Sequence, residues 1–216
     1  MLKLLEHLRQ QGTRPQVVYT SSIGVYSDFS QPINDATLPS PNWSYGTHKF
    51  IGELLLADYV RKGFIDGRTI RFSAIVARPP EPSGAISAFL SDLIRELAAG
   101  KPFVCPVSAA ATSWWMSLPC AVDNLLHAAT ISAESWRPTR SYLLPTLRCS
   151  IGEIVAAISR VYGVKANDLI SYQPIPDIED RFGKLPPVDL PEAEALGFRH
   201  DGTADELVKR ALETNP

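Results

Sequence analysis

From Arg68 to Ala77, a stretch containing I-R-F-S-A-I-V-A, apolar side chains follow one another with little of the alternation seen in a strand with one wet face. A strand of this type is buried on both sides and belongs in a parallel sheet covered by helices. The run stops at Arg78-Pro79-Pro80, where two prolines forbid both a helix and further ladder bonding. This element directs the chain toward an α/β fold. It also marks a place where chemistry is expected, because ligands of doubly wound folds sit at the carboxyl ends of the parallel strands.

A second apolar run, Val17-Val18-Tyr19-Thr20, ends in Ser21-Ser22, and S-Y-G-T-H-K-F-I-G-E-L follows about twenty residues later. Within it Tyr45 and Lys49 stand four apart. Positions i and i+4 share one helix face, so a helix from Tyr45 to Val60, ended by Gly63, presents phenol and ammonium together. Ile51, Leu54 and Leu55 are expected to turn inward. The pairing suits hydride transfer to or from a secondary alcohol, where a proton must move with the hydride. A tyrosine phenol titrates near ~10 and needs help to act as a base. A cation about 4 Å away, at an effective dielectric of about 20, stabilises the phenolate by roughly 4 kcal/mol. That brings proton transfer toward the operating pH, as general acid–base catalysis requires. Lys49 supplies such a cation, and Ser22 would hydrogen-bond the reacting oxygen.

Taken in order, T-S-S-I-G-V-Y, P-N-W-S-Y-G-T-H-K and I-R-F-S-A-I-V-A-R-P resemble the extended short-chain dehydrogenase/reductases, also called NAD-dependent epimerase/dehydratases. Within that family, Y-G-T-H-K-F-I-G-E-L-L-L-A-D-Y-V-R-K-G-F-I-D-G-R-T-I-R and F-L-S-D-L-I-R-E-L-A-A-G are similar to D-erythronate dehydrogenases, which oxidise a secondary hydroxyl of a small sugar acid. The resemblance covers nearly the whole chain and is strongest from Val17 to Gly100. It implies Tyr45 as catalytic base, Lys49 as phenolate stabiliser and anchor of the nicotinamide ribose, and Ser22 as the substrate-orienting hydroxyl. Backbone contacts to the cofactor are implied for Ile75, Val76 and Ala77, and Ser83 joins Ser22 as a candidate substrate contact. The implied cofactor is NAD, with NADP as the alternative. The implied fold is a partial doubly wound, Rossmann-type parallel sheet with a small C-terminal α/β substrate lobe. Residues 1–80 would be the C-terminal part of the dinucleotide-binding domain, and 81–216 the lobe, interleaved with the last Rossmann elements. A nucleotide-sugar epimerase or dehydratase would use the same three residues; a non-catalytic remnant acting as an interaction module is the competing class.

Family members open with a strand and a Gly-rich turn whose amides meet the dinucleotide pyrophosphate. Here the thirteen glycines are scattered singly and no G-x-x-G-x-x-G occurs. Met1 instead begins M-L-K-L-L-E-H-L-R-Q-Q-G, a helix with Leu2, Leu5 and Leu8 on one stripe and Gly12 as its C-terminal cap. The expectation is a chain equivalent to the back two thirds of a dehydrogenase, with an open strand edge that favours homo-oligomers or aggregates. Two departures fall where substrate is recognised. After Arg78-Pro79 the erythronate-type pattern continues Gly-Lys-Pro-Asn, whereas this chain has Pro80-Glu81-Pro82-Ser83, with Glu81 facing an acid with the wrong charge. Ser117-Leu118-Pro119 likewise lacks the arginine of Ser-Pro-Arg.

A net charge of −2 argues against nucleic acid as a partner; small sugar acids or nucleotide sugars are the expected ones. No stretch approaches the roughly 18 apolar residues of a membrane span, and no leader is recognisable. Cys105, Cys120 and Cys149 lack short ligand spacing and read as reduced core thiols of a cytoplasmic protein. His7 and His200 read as solvated, His127 as a core imidazole and His48 as turned aside from Lys49, so no metal site is expected. Gly84–Ala99 should be a helix with Ile86, Phe89, Leu90, Leu93, Ile94 and Leu97 inward, capped by Gly100. Strands are expected over Lys101–Val107, Thr112–Leu118 and Ser141–Leu144, with Pro119 opening a helix. Trp114-Trp115 face opposite ways and read as core. Ser150–Glu153 and Thr203–Glu206 form capping boxes.

Overall fold

Helix α1 (Leu2–Gln11), strand β1 (Gln16–Ser22), helix α2 (Ser44–Arg61) and strand β2 (Asp66–Phe72) open the chain. The computed structural model describes residues 1–78, 85–137 and 141–213. β1 and β2 run parallel in register from Gln16↔Asp66 to Ser22↔Phe72, so α2 lies in the crossover that a parallel pair requires. The strand Ser141–Leu143 extends the sheet, also parallel, on the far side of β2. Two units make up the chain: Met1–Phe72, Asp123–Pro145 and Asp189–Phe198 form one, and Ser73–Val122, Thr146–Val188 and Arg199–Pro216 the other.

In the first unit α1 ends at Gly12, whose φ of 66° is the left-handed conformation glycine tolerates. Leu5 and Leu56 are fully buried and pack with Tyr59 and Ile65, while Leu2 is exposed. The inner face of α2 differs from the expected one. It is made of Gly46, Gly52, Glu53, Leu56 and Tyr59, whereas Ile51 and Leu54 are 47% and 56% exposed. The reason is proximity. A Cβ at Gly52 would collide with the Tyr19 hydroxyl, so the helix backbone lies directly on β1 and its branched side chains turn outward. Both faces of β2 are buried, and they are polar as well as apolar: Arg68, Thr69 and Arg71 are buried along with Ile70 and Phe72. Arg68 donates to the Ala128 carbonyl at 2.6 Å and to Asp66 at 2.8 Å.

The single strand expected over 68–77 is two strands. Ser73 interrupts it, taking a hydrogen bond from Thr146 Oγ at 2.8 Å, and β3 (Ala74–Val76) joins a different sheet. That sheet belongs to the second unit. There β3 pairs in parallel with β4 (Thr112–Ser117), which pairs antiparallel with β5 (Leu147–Ser150). Helix α3 (Ala88–Ala98) buries Phe89, Leu90, Leu93, Ile94 and Leu97, with Gly100 at φ 71° behind it. Ile86 is exposed, and the expected start at Gly84 lies outside the described residues. Helix α4 (Ile151–Tyr162) carries the full Ser150–Glu153 capping box. Helix α5 (Ala204–Glu213) carries its counterpart, with Glu206 N–H donating to Thr203 Oγ and Thr203 N–H to Glu206 Oε2. Trp114 and Trp115 are both fully buried, their indoles donating to the carbonyls of Pro186 and Cys149. Cys105, Cys120 and Cys149 are buried thiols that take part in no disulfide. Burial pushes the Cys149 thiol up to about 11.

Candidate active site

Ser22 ends β1 and caps the short turn Ile23–Val25, its Oγ accepting the Gly24 N–H at 3.1 Å. Tyr45 occupies the first turn of α2, and Lys49 follows one turn later. The turn and the helix meet through backbone. Trp43 Nε1 donates to the Gly24 carbonyl at 2.9 Å. A Cβ at Gly46 would collide with that same carbonyl, and one at Gly24 would fall 3.1 Å from Tyr45 Cδ1. The two glycines thus let the Ser22 turn rest on the helix start, with the Trp43 and Tyr45 rings stacked obliquely beside it at 5.3 Å. Tyr45 remains 47% exposed.

Lys49 Nζ donates to the Thr20 carbonyl at 2.7 Å. It stands 5.5 Å from the centre of the Tyr19 ring and 5.7 Å from that of Tyr45, within cation–π range of both. Tyr19 in turn donates to the Lys49 carbonyl at 3.4 Å. Its phenol is pushed up, by burial first and then by the charge of Glu53 and proximity of Tyr45. The ammonium is therefore bracketed by two phenols. Beneath it Glu53, on the same helix stripe, accepts from Ser21 Oγ at 2.5 Å and from Arg71 Nε and Nη2 at 2.9 and 2.6 Å. Arg71 Nη1 donates to Tyr26 at 2.8 Å.

Ser22, Tyr45 and Lys49 all fall in the first unit. Ile75, Val76 and Ala77 lie in the second, in and just after β3. Ala77 is buried with φ at 52°, a left-handed conformation that L side chains adopt at a cost. Ser83 and Glu81 lie outside the described residues. His48 is exposed, and His127 Nε2 is 2.8 Å from the Leu196 carbonyl. Among the described residues no group of three His, Cys, Asp or Glu is placed to hold a metal ion, and no helix is long and apolar enough to cross a membrane. Sequence reasoning missed Tyr19, Trp43, Glu53 and Arg71. The available signal was the pair of glycines, one two residues after Ser22 and one directly after Tyr45, which marks a close backbone approach.

Residues 1–115 match the model of the NAD dependent epimerase/dehydratase family. The chain is 36% identical to a D-erythronate dehydrogenase of Cupriavidus necator over 212 residues, 97% of this chain and 65% of that protein. It is 30% identical to one of Haemophilus influenzae, again over 97% of this chain and 67% of that protein. A crystal structure described as a nucleoside-diphosphate-sugar epimerase from Agrobacterium tumefaciens superposes with a TM-score of 0.90 at 35% identity, covering 98% of this chain and 64% of that one. The chain thus spans about two thirds of the length of these relatives. Motif order, parallel βαβ core and overall similarity agree: the chain belongs to the NAD dependent epimerase/dehydratase family.

Proposed function

We propose that this chain carries the proton-transfer side of an NAD-dependent dehydrogenase that oxidises a secondary hydroxyl of a small sugar acid, in cytoplasmic carbohydrate metabolism. The observation that carries the reading is the exposed Tyr45 phenol at the head of α2, with the Lys49 ammonium against its ring and Ser22 fixed on the adjoining turn. Residues 1–80 would then be the back of a dinucleotide-binding domain and 81–216 the substrate lobe, interleaved with the last Rossmann elements, with Ser83 a substrate contact.

The residues present fit the nicotinamide-ribose end of NAD. Lys49 has three N–H donors and Thr20 takes one, which leaves donors for ribose hydroxyls; backbone contacts to the cofactor are proposed for Ile75, Val76 and Ala77. The nicotinamide supplies the hydride acceptor when bound. Tyr45, held as the phenolate by the Lys49 ammonium beside its ring, takes the proton of the substrate hydroxyl and becomes a neutral phenol. Ser22 Oγ accepts from Gly24 N–H, which leaves its own O–H to donate to the substrate oxygen.

The substrate class is supported by the two D-erythronate dehydrogenases. A second reading, epimerisation of a nucleotide sugar, is favoured by the Agrobacterium structure. Net cofactor reduction separates them. A dehydrogenase accumulates NADH from D-erythronate or a related acid, while an epimerase regenerates NAD in each cycle and shows none. In either case Tyr45→Phe should lower turnover by roughly 10²-fold or more with the melting temperature unchanged. Parent-like turnover in that variant would remove Tyr45 from the chemistry.

A further inference from the structure

We infer that the buried Glu53–Arg71 ion pair is a positioning device for the reaction, closing the Ser22 turn at both ends; the inference rests on the proposed role of Ser22 and Tyr45. Tyr45, Lys49 and Glu53 follow at four-residue spacing along α2, so the carboxylate lies on the same stripe as the catalytic pair. Its side chain is 3% exposed and that of Arg71 is 7% exposed. Glu53 accepts from Ser21, the residue before Ser22. Arg71, directly opposite Ser21 in the β1–β2 register, chelates Glu53 and reaches on to the hydroxyl of Tyr26, with its guanidinium 5.4 Å from the centre of that ring. Ser21 and Tyr26 flank the Ser22–Val25 segment. One helix residue and one strand residue therefore hold both ends of the turn that carries Ser22, and that turn is the surface against which Gly46 and Tyr45 rest.

A pair serving fold alone would be replaceable by apolar side chains, since such replacements of buried ion pairs are often neutral or stabilising. The test is Glu53→Met/Arg71→Met in the full chain, read by turnover of NAD with the acid substrate and by hydrogen exchange of the Gly24 amide, the donor to Ser22 Oγ. Positioning predicts a folded protein in which Gly24 loses protection while the Ile70 amide of β2 keeps it. It also predicts a kcat lower by on the order of 10²-fold, the scale of a displacement near 1 Å, with KM moved much less. A folded double variant with parent-like kcat overturns the inference, and so does a loss of kcat with Gly24 still protected. If the parent itself turns over no substrate, the proposed function fails and the Gly24 exchange alone decides whether the pair holds the turn. If the double variant does not fold, Ser21→Ala answers the same questions with the ion pair intact: Gly24 deprotection and a lower kcat support the device, and their absence overturns it.

Discussion

The two units fill their interiors differently. The first buries charge: Glu53, Arg68 and Arg71 lie inside it, each with named partners. Around α3 and α4 the second is mostly hydrocarbon, with Phe89, Leu90, Leu93, Ile94, Leu97, Trp115, Ile154 and Ile158 in one cluster. Ion pairs of the first kind fix directions, because a bidentate guanidinium–carboxylate contact has one good geometry, whereas dispersion contacts fix volume and tolerate reshaping. The unit that presents Tyr45, Lys49 and Ser22 gathers several such directional contacts beside the site, and the second uses them at Asp201, which is buried and accepts from Ser117 N–H and Oγ. The lesson is that the site's accuracy is maintained by polar burial that adds little to stability.

Substitutions in both units test this contrast. Arg71→Met should have the largest effect on stability, about 3–5 kcal/mol, because it strands the Glu53 carboxylate in the interior. Urea unfolding followed through β2 amides measures it, and a cost under 1 kcal/mol would break the contrast. Leu93→Ala in α3 should cost roughly 2–5 kcal/mol, with the relaxed hydrocarbon cluster recovering part of the loss. An accompanying Ile94→Leu or Leu97→Met should change that figure by less than about 1.5 kcal/mol; a larger change would show that this core is as geometrically exacting as the ion pair. Gly46→Ala should destabilise by about 1–3 kcal/mol, since its methyl meets the Gly24 carbonyl and the Trp43 indole. Its diagnostic effect is on turnover, which should fall more than stability does. Smallest is Ala77→Gly, expected to gain roughly 1 kcal/mol by relieving the positive φ. No gain would mean that the surroundings of Ala77 set its conformation at no cost.

The parts of the fold legible in the sequence are those governed by local rules. Gly12 terminates a helix, Ser150 and Glu153 cap one another, and the stripe from Phe89 to Leu97 faces inward because spacing alone decides such things. Tyr45 and Lys49 were legible for the same reason, as helix neighbours. The inner face of α2 was not. Hydropathy placed Ile51 and Leu54 inside, but contact with Tyr19 and Gly24 leaves room only for glycine there, and the Arg71 partner makes a buried place for Glu53. The break at Ser73 was hidden too, since an apolar run carries no information about which of two sheets each half will join. Glu53 and Arg71 are eighteen residues apart and read singly as ordinary charged residues; only the β1–β2 register brings them together.

The bond from Lys49 to the Thr20 carbonyl has a thermodynamic consequence for the ligand contact proposed for this side chain. A free lysine side chain holds about 2 kcal/mol of rotamer entropy, normally lost at the moment a cation grips its partner. Here much of that disorder is gone before any ligand arrives, because one N–H is seated on main chain and two aromatic rings confine the head group. A hydroxyl meeting Lys49 therefore encounters a donor already aimed. The freezing of this side chain becomes part of the entropy of folding and drops out of the entropy of association.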